Sequence, residues 1–270
     1  MSRPERVRSL SEFTEACCRI RDRWTHGSYF DPWFRGQANS AWPLRPTIYR
    51  LNMAQDEHSL RDHFRRVGMQ LVVELQPQTD WEWYFLMRHH RVPTRLLDWT
   101  DGALIALFFA VNDNGPDAIG VEFDAAVWVL DPWWLNKQTL REQCIVPADV
   151  ESYADKADRY LSPLYEKVRP LKKLPAAIDP PHIARRLAAQ RSHFTIHGTD
   201  PDGLLTVSRL KRSRLAKIIV DKDAIPTIRR DLATMGIVDT TVFPDLDGLG
   251  RELSRHFNPE ALAAAPVRAR

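Results

Sequence analysis

Residues 93–100 read Pro-Thr-Arg-Leu-Leu-Asp-Trp-Thr, and after Asp101-Gly102 the chain continues Ala-Leu-Ile-Ala-Leu-Phe-Phe-Ala-Val at 103–111. No other feature constrains the fold as much. A short run led by leucine and tryptophan and entered through proline predicts a buried strand over 94–99. The nine apolar residues that follow predict a buried helix over 103–111, with Trp99, Leu104, Leu107 and Phe108 in the core alongside Trp128. A strand and a helix that are both apolar all round must be covered on every side. That points to a mixed α/β (α+β) protein: a single domain with a central mixed sheet flanked by helices.

The rest of the chain fits that frame. Val7, Leu10, Phe13, Cys17, Ile20 and Trp24 recur at helical spacing, and Ser9 with Glu12 forms a capping-box pattern. A second helix is expected over 60–75, with Leu60, Phe64, Val67 and Leu71 on one face and Pro77 beyond its end. Thr79 and Glu82 open a third, which runs to about His90 and is stopped by Pro93. Residues 126–130 read as a strand, and Trp133-Trp134 opens an irregular region. Helical stretches are expected over 150–165, 181–190 and 224–235, and extended ones over 194–196, 217–220 and 237–243. No internal repeat or low-complexity linker interrupts the 270 residues.

Composition narrows the function. Hydrophobic residues make up 44% and charged residues 27% of the chain, enough apolar content for a sizeable core. A net charge of +3 gives no strong case for nucleic acid or membrane as the main partner. The longest apolar run, at 103–111, is well short of the ~18 residues of a membrane span. Cys17, Cys18 and Cys144 form no paired framework, so a reducing compartment, the cytoplasm, is expected, with no disulfide.

Three polar constellations interrupt the apolar pattern. Phe34-Arg35-Gly36-Gln37 places an arginine at the end of an expected strand. Its guanidinium suits an anionic ligand and Gly36 permits close approach to the backbone; the alternative is a structural tie to an internal carboxylate. Residues 89–100 concentrate His89, His90, Arg91, Arg95, Asp98 and Thr100 between apolar segments. Polar groups there must satisfy one another or face a cleft. Arg95 and Asp98 form one conceivable pair, and Thr100 one conceivable helix cap. The third constellation runs from Gln190 to His197. His193 and His197 fall on one face of an extended segment, too far apart for ordinary chelation, so no metal site is expected. No Walker loop, dinucleotide fingerprint, nucleophile elbow or zinc-finger spacing is present.

Phe-Arg-Gly-Gln at 34–37, the string at 93–100, Ala-Leu-Phe-Phe-Ala at 106–110, residues 190–195 and the ending at 243–248 together resemble the FRG-domain family. The resemblance implies an FRG domain over 1–255 with a tail at 256–270, and a bacterial, defence- or toxin-linked setting. The order Arg35, Thr100, Gln190 is also similar to that of ADP-ribosyltransferases, and it implies those three as catalytic residues of an NAD-using enzyme. Arg35, Gly36, Gln37, His90, Arg95, Asp98, Trp99 and His193 would then bind NAD, with Trp99 or Phe108 stacking on the nicotinamide and a protein or nucleic acid as acceptor. The other expectation is a non-catalytic sensor that binds a nucleotide or a protein in the same cleft. Either way Arg35 should lie within side-chain reach of Thr100 or Asp98.

Overall fold

A computed structural model describes residues 3–25, 31–72, 77–112, 123–148, 160–161, 172–180 and 190–257. In chain order its elements are β1 (Glu5–Val7), α1 (Leu10–Thr25), β2 (Trp33–Gln37), α2 (Thr47–Arg50), α3 (Glu57–Gly68), α4 (Asp80–His89), β3 (Leu96–Thr100), α5 (Ala103–Asn112), β4 (Ala125–Leu130) and α6 (Pro132–Thr139). They continue with β5 (Val146–Pro147), β6 (Ala176–Asp179), β7 (Ser192–Ile196), α7 (Gly203–Ser208), β8 (Leu215–Val220), α8 (Ile225–Thr234), α9 (Asp239–Val242) and α10 (Leu246–Phe257). The strands form one mixed sheet in the order β1-β8-β4-β2-β3-β7-β6-β5. The fold is α/β, as the buried strand and helix require.

Strand alternation sorts the side chains onto two faces. Phe34, Val127, Val129 and Ile218 join α1, α5 and α8 in one apolar cluster. On the same face, towards the other end of the sheet, Leu96, Phe194, Ile196 and Ile178 pack with Trp81, Tyr84 and Phe85 of α4. The opposite face carries Trp33, Leu97, Trp99, Trp128 and Ala177, covered by Leu44, α6 and α7. Trp99, Leu107, Phe108 and Trp128 are buried as expected, whereas Leu104 is only partly so.

Helix ends follow their local chemistry. Ser9 Oγ accepts the Glu12 N–H at 3.1 Å, and Thr79 with Glu82 forms the full reciprocal capping box. Four expectations need correction. Val7 belongs to an edge strand, because β1 pairs parallel to β8, and not to the first helix. Trp133-Trp134 lie in α6, where Asp131 caps the Trp134 N–H at 2.8 Å and Pro132 takes the first helical position. Residues 239–242 form a turn of helix instead of a strand, and Phe243 still reaches the core from it. The face assigned to the second helix is only half used: Leu60 and Phe64 pack inward, while Val67 and Leu71 are exposed. Most of 150–165 and 181–190 lies outside the described residues. No helix among the described residues is long and apolar enough to cross a membrane.

Helix α5 approaches the sheet closely at Gly36. A Cβ built there would stand 2.1 Å from the Ala106 carbonyl oxygen and 2.5 Å from the Ala110 nitrogen, both backbone atoms of α5. What comes close to the Gly36 backbone is therefore the buried helix. Gly36→Ala is expected to push α5 off the sheet and lower stability by about 1–3 kcal/mol, the usual cost of overpacking. Urea denaturation of the two proteins measures it; an unchanged midpoint would show that the contact is not tight.

Candidate functional site

The sheet is weakest at its centre. β2 pairs with β4 along five positions and β3 pairs with β7 along five, but β2 meets β3 at a single position, Phe34 opposite Thr100. Beyond that pair the strands part, and Arg35 fills the seam. Its Nη1 donates to the Asp98 carbonyl at 2.8 Å and stands 3.5 Å from the Asp98 carboxylate. Arg35 keeps 16% of its side-chain surface exposed and Asp98 keeps 37%, so the group is not sealed. From the α4 side, Arg88 grips the same carboxylate with Nε, at 2.9 and 3.1 Å, and with Nη2. Burial disfavours ionisation of Asp98, but the Arg88 charge and hydrogen bonds, with Arg35 behind them, outweigh it and hold the carboxyl below its ordinary value. Two arginines around one aspartate leave a net positive, partly open cluster. That arrangement can accept an anion in place of, or beside, the aspartate.

Arg95 is placed differently. It is 1% exposed, and its Nε donates to Glu57 at 2.5 Å. Its other donors reach the Tyr160 and His197 carbonyls. The Glu57 carboxylate also takes the Arg95 backbone N–H at 2.9 Å and the Tyr84 hydroxyl. Because that N–H is spent on Glu57 and Tyr84, the strand expected from 94 begins only at Leu96. Burial works against the Arg95 charge, yet Glu57 more than offsets it and its pKa is raised. Desolvation first, and Glu57 second, push the Tyr84 phenol well above its usual range. The arginine is a fully paired internal brace to α3 and α4. Its partner is Glu57, and that of Asp98 is Arg88, so the two do not pair with each other.

The remaining expected site residues are spread around this centre. Thr100 is the register partner of Phe34, so its side chain shares the face of Phe34 and lies opposite to that of Arg35. Its Oγ1 accepts the Gly102 N–H at 3.0 Å, closing a turn at the entry to α5. Gln37 is buried, accepting the Trp128 indole N–H at 2.7 Å and donating to the Pro43 carbonyl at 3.3 Å. Trp99 is buried and donates to Thr195 Oγ1 at 3.0 Å, and Phe108 lies inside the first apolar cluster. Gln190 donates to the Val242 carbonyl at 3.3 Å. His90, at the end of α4, is exposed and has Phe64 and His89 as ring neighbours. His193 stacks on Trp33 with ring centroids 4.6 Å apart. Its Nδ1 is 2.7 Å from Asp179, and its Nε2 is 3.7 Å from Asp101, which also pairs with Arg191 at 2.6 Å.

The structure thus brings Arg35 to Asp98, sets the Thr100 side chain on the face of Asp98 and opposite that of Arg35, and places His193 on the Arg35 face two strands away. Sequence reasoning missed Arg88, Glu57, Asp101 and Asp179. Arg88 carried a signal, since it follows Trp81, Tyr84 and Phe85 near the end of an expected helix. The carboxylates carried none, because their partners are distant in sequence. Among the described residues no group of three His, Cys, Asp or Glu side chains could hold a metal ion. The cysteines are free thiols, with Cys17 buried and Cys18 exposed.

A sequence model of the FRG domain matches residues 31–118, from the start of β2 past the end of α5, and the chain carries that domain. The match contains both sides of the seam: Arg35, Arg88, Asp98 and Thr100. No curated protein and no solved structure matches the chain.

A pH experiment tests the charge arrangement at Asp98. Its folded-state pKa is lowered, so the stability it contributes is present above the unfolded value of about 3.9 and is lost as pH falls through the folded value. The stability gap between the native protein and Asp98→Asn should therefore be widest at neutral pH and should close below about pH 4. A gap that persists unchanged into acid would show that the carboxylate charge plays no part in holding the seam.

Proposed function

We propose that the FRG domain of this chain binds a nucleotide-class ligand, NAD or another ADP-ribose compound, at the seam between β2 and β3. The observation that supports it is the incomplete pairing of those strands around Arg35, Asp98 and Arg88. A seam in mid-sheet forgoes backbone hydrogen bonds. Here it is lined by two guanidinium groups facing one carboxylate that is open to solvent. A diphosphate offers the planar, bidentate acceptors that guanidinium groups match, and Asp98 holds both arginines in place when no ligand is bound. On this reading the module is a sensor or carrier, and its output is a change in how the two halves of the sheet are joined. The functional unit then extends beyond the matched segment, since β4, β7 and β8 complete the sheet around it.

A second reading, an NAD glycohydrolase or ADP-ribosyltransferase, is favoured by one observation. His193 is partly exposed on the Arg35 face and is held by Asp179 through Nδ1. Such a group suits activation of a water or acceptor hydroxyl. In hydrolysis, the ribose–nicotinamide bond breaks and nicotinamide leaves with its electron pair. The water oxygen then bonds to the ribose carbon as its proton passes to the imidazole. In this structure the hydroxyl of Thr100 and the amide of Gln190 are engaged with backbone groups, which gives the binding reading precedence.

Titration calorimetry with NAD and with ADP-ribose tests both. Arg35→Ala is expected to weaken binding roughly tenfold to a hundredfold, the range for a lost charge-assisted hydrogen bond. Arg35→Lys should be nearly as damaging, because an ammonium lacks the two-pronged donor geometry. Both should lower the melting temperature less than Gly36→Ala. Unaltered affinity in Arg35→Ala removes the seam as the site. Nicotinamide release by the native protein, lost in Arg35→Ala and His193→Ala, would favour the enzymatic reading.

A further inference from the structure

His197 is fully buried, and neither of its ring nitrogens has a hydrogen-bond partner among the described residues. Its backbone is well tied: its N–H donates to the Arg95 carbonyl at 3.0 Å, and its own carbonyl accepts from the Arg95 guanidinium. The imbalance is confined to the side chain. Buried polar groups are nearly always paired, so an imidazole with both nitrogens idle asks for a reason. The ring stays neutral. Burial, with the charges of Arg35 and Arg95 nearby, pushes its pKa down to about 3. It thus offers one N–H donor and one lone pair, directed differently around the ring. A phosphate, which only accepts, would satisfy the N–H alone; hydroxyl and amide groups can satisfy both nitrogens.

Position links this ring to the seam. His193 and Thr195 contact Trp33 and Trp99, so alternate residues of β7 face the side of the sheet that carries Arg35, and His197 continues that series. His197 sits beside Arg95, three residues along the chain from the Asp98 carbonyl that Arg35 grips. Three extended residues span roughly 10 Å, about the reach of a sugar attached to a phosphate. Between them, β2 and β3 share only the Phe34–Thr100 pair.

We propose that His197 is a specificity-determining residue of the seam site, reading a neutral hydroxyl or amide of the ligand whose anionic group is held by Arg35. The proposal rests on the nucleotide-binding reading above. A phosphate anchor alone would admit any phosphorylated compound, and a neutral imidazole deeper in the seam selects those that carry a sugar or amide at the right distance.

The test uses the full chain, two probes and two variants. Inorganic pyrophosphate carries only the anion, and ADP-ribose carries the anion and hydroxyl groups. His197→Phe is expected to weaken ADP-ribose binding about tenfold or more, the share of an ordinary hydrogen bond or two. It should leave pyrophosphate binding within about twofold, whereas Arg35→Ala weakens both. His197→Asn, which keeps a donor and an acceptor, should recover part of the ADP-ribose affinity. Without ligand, His197→Phe should melt about 2–4 °C higher than the native protein, because an unpaired buried polar group has been removed. Equal losses for the two probes, or none for ADP-ribose, overturn the proposal. So does a lower ligand-free melting temperature, which would mean that His197 is a paired structural group. If the native protein binds neither probe, the seam reading itself fails. The ligand-free melting temperature then still decides whether His197 is an idle polar group.

Discussion

One guanidinium, lodged where a sheet fails to close, organises this molecule. β2 and β3, separated in sequence by the helices α2, α3 and α4, lie at the centre of the sheet, yet they share only the Phe34–Thr100 pair. Arg35 supplies part of what the missing ladder would have supplied, donating to the Asp98 carbonyl from the opposing strand. Everything to one side of it, the strands β1, β8, β4 and β2, packs with α1, α5 and α8. Everything to the other side packs with α4. On the opposite face a third cluster, with Trp33 and Trp128 from one side and Leu97, Trp99 and Ala177 from the other, spans the seam, so the charged, partly exposed Arg35 lies beside a continuous apolar layer.

The polar groups inside the protein divide into satisfied and unsatisfied ones, and the division separates scaffold from candidate site. Arg95, Glu57 and Tyr84 are fully paired with one another and with backbone groups. Taking a charge out of water is costly unless the geometry is this complete, and breaking such a set typically costs about 3–5 kcal/mol. That network fixes α3 and α4 against the end of β3. The Arg35–Asp98–Arg88 set keeps surface open to solvent, and His197 keeps two nitrogens without a protein partner among the described residues. Arg35 and Arg95 look alike in a string of letters, each with a carboxylate partner dozens of positions away. In space one is a brace and the other faces an opening.

Much of the fold was legible in the residues because the signals were local. The apolar run after Thr100 had to be a covered helix. The Thr79–Glu82 box had to start one, and the short apolar run at 126–130 had to form a buried strand. Where local reading failed, a tertiary partner or an overlooked cap was the cause. Val7 is drawn into a strand by β8. Ile237 and Phe243 are apolar because they pack on the core, from a segment that turns helical between them. The exposed stripe of Leu246, Leu249, Leu253 and Phe257 on α10 has helical spacing but lies at the surface.

For the site, the residues alone determined that Arg35 and the stretch around Asp98 are polar groups embedded in apolar surroundings and must find partners, since burial without them is too costly. They also determined the glycine at 36, although the object that approaches it proved to be helix α5. Only the tertiary structure decided which partners are chosen. It gave Asp98 to Arg88 and Arg35, and Arg95 to Glu57. It turned Thr100 to the face opposite Arg35 and left the ring of His197 without a partner among the described residues. The physical reason is that hydrogen-bond and ion-pair partners across a sheet are set by register and strand order. These depend on contacts between residues scores of positions apart, and no local pattern of letters encodes them.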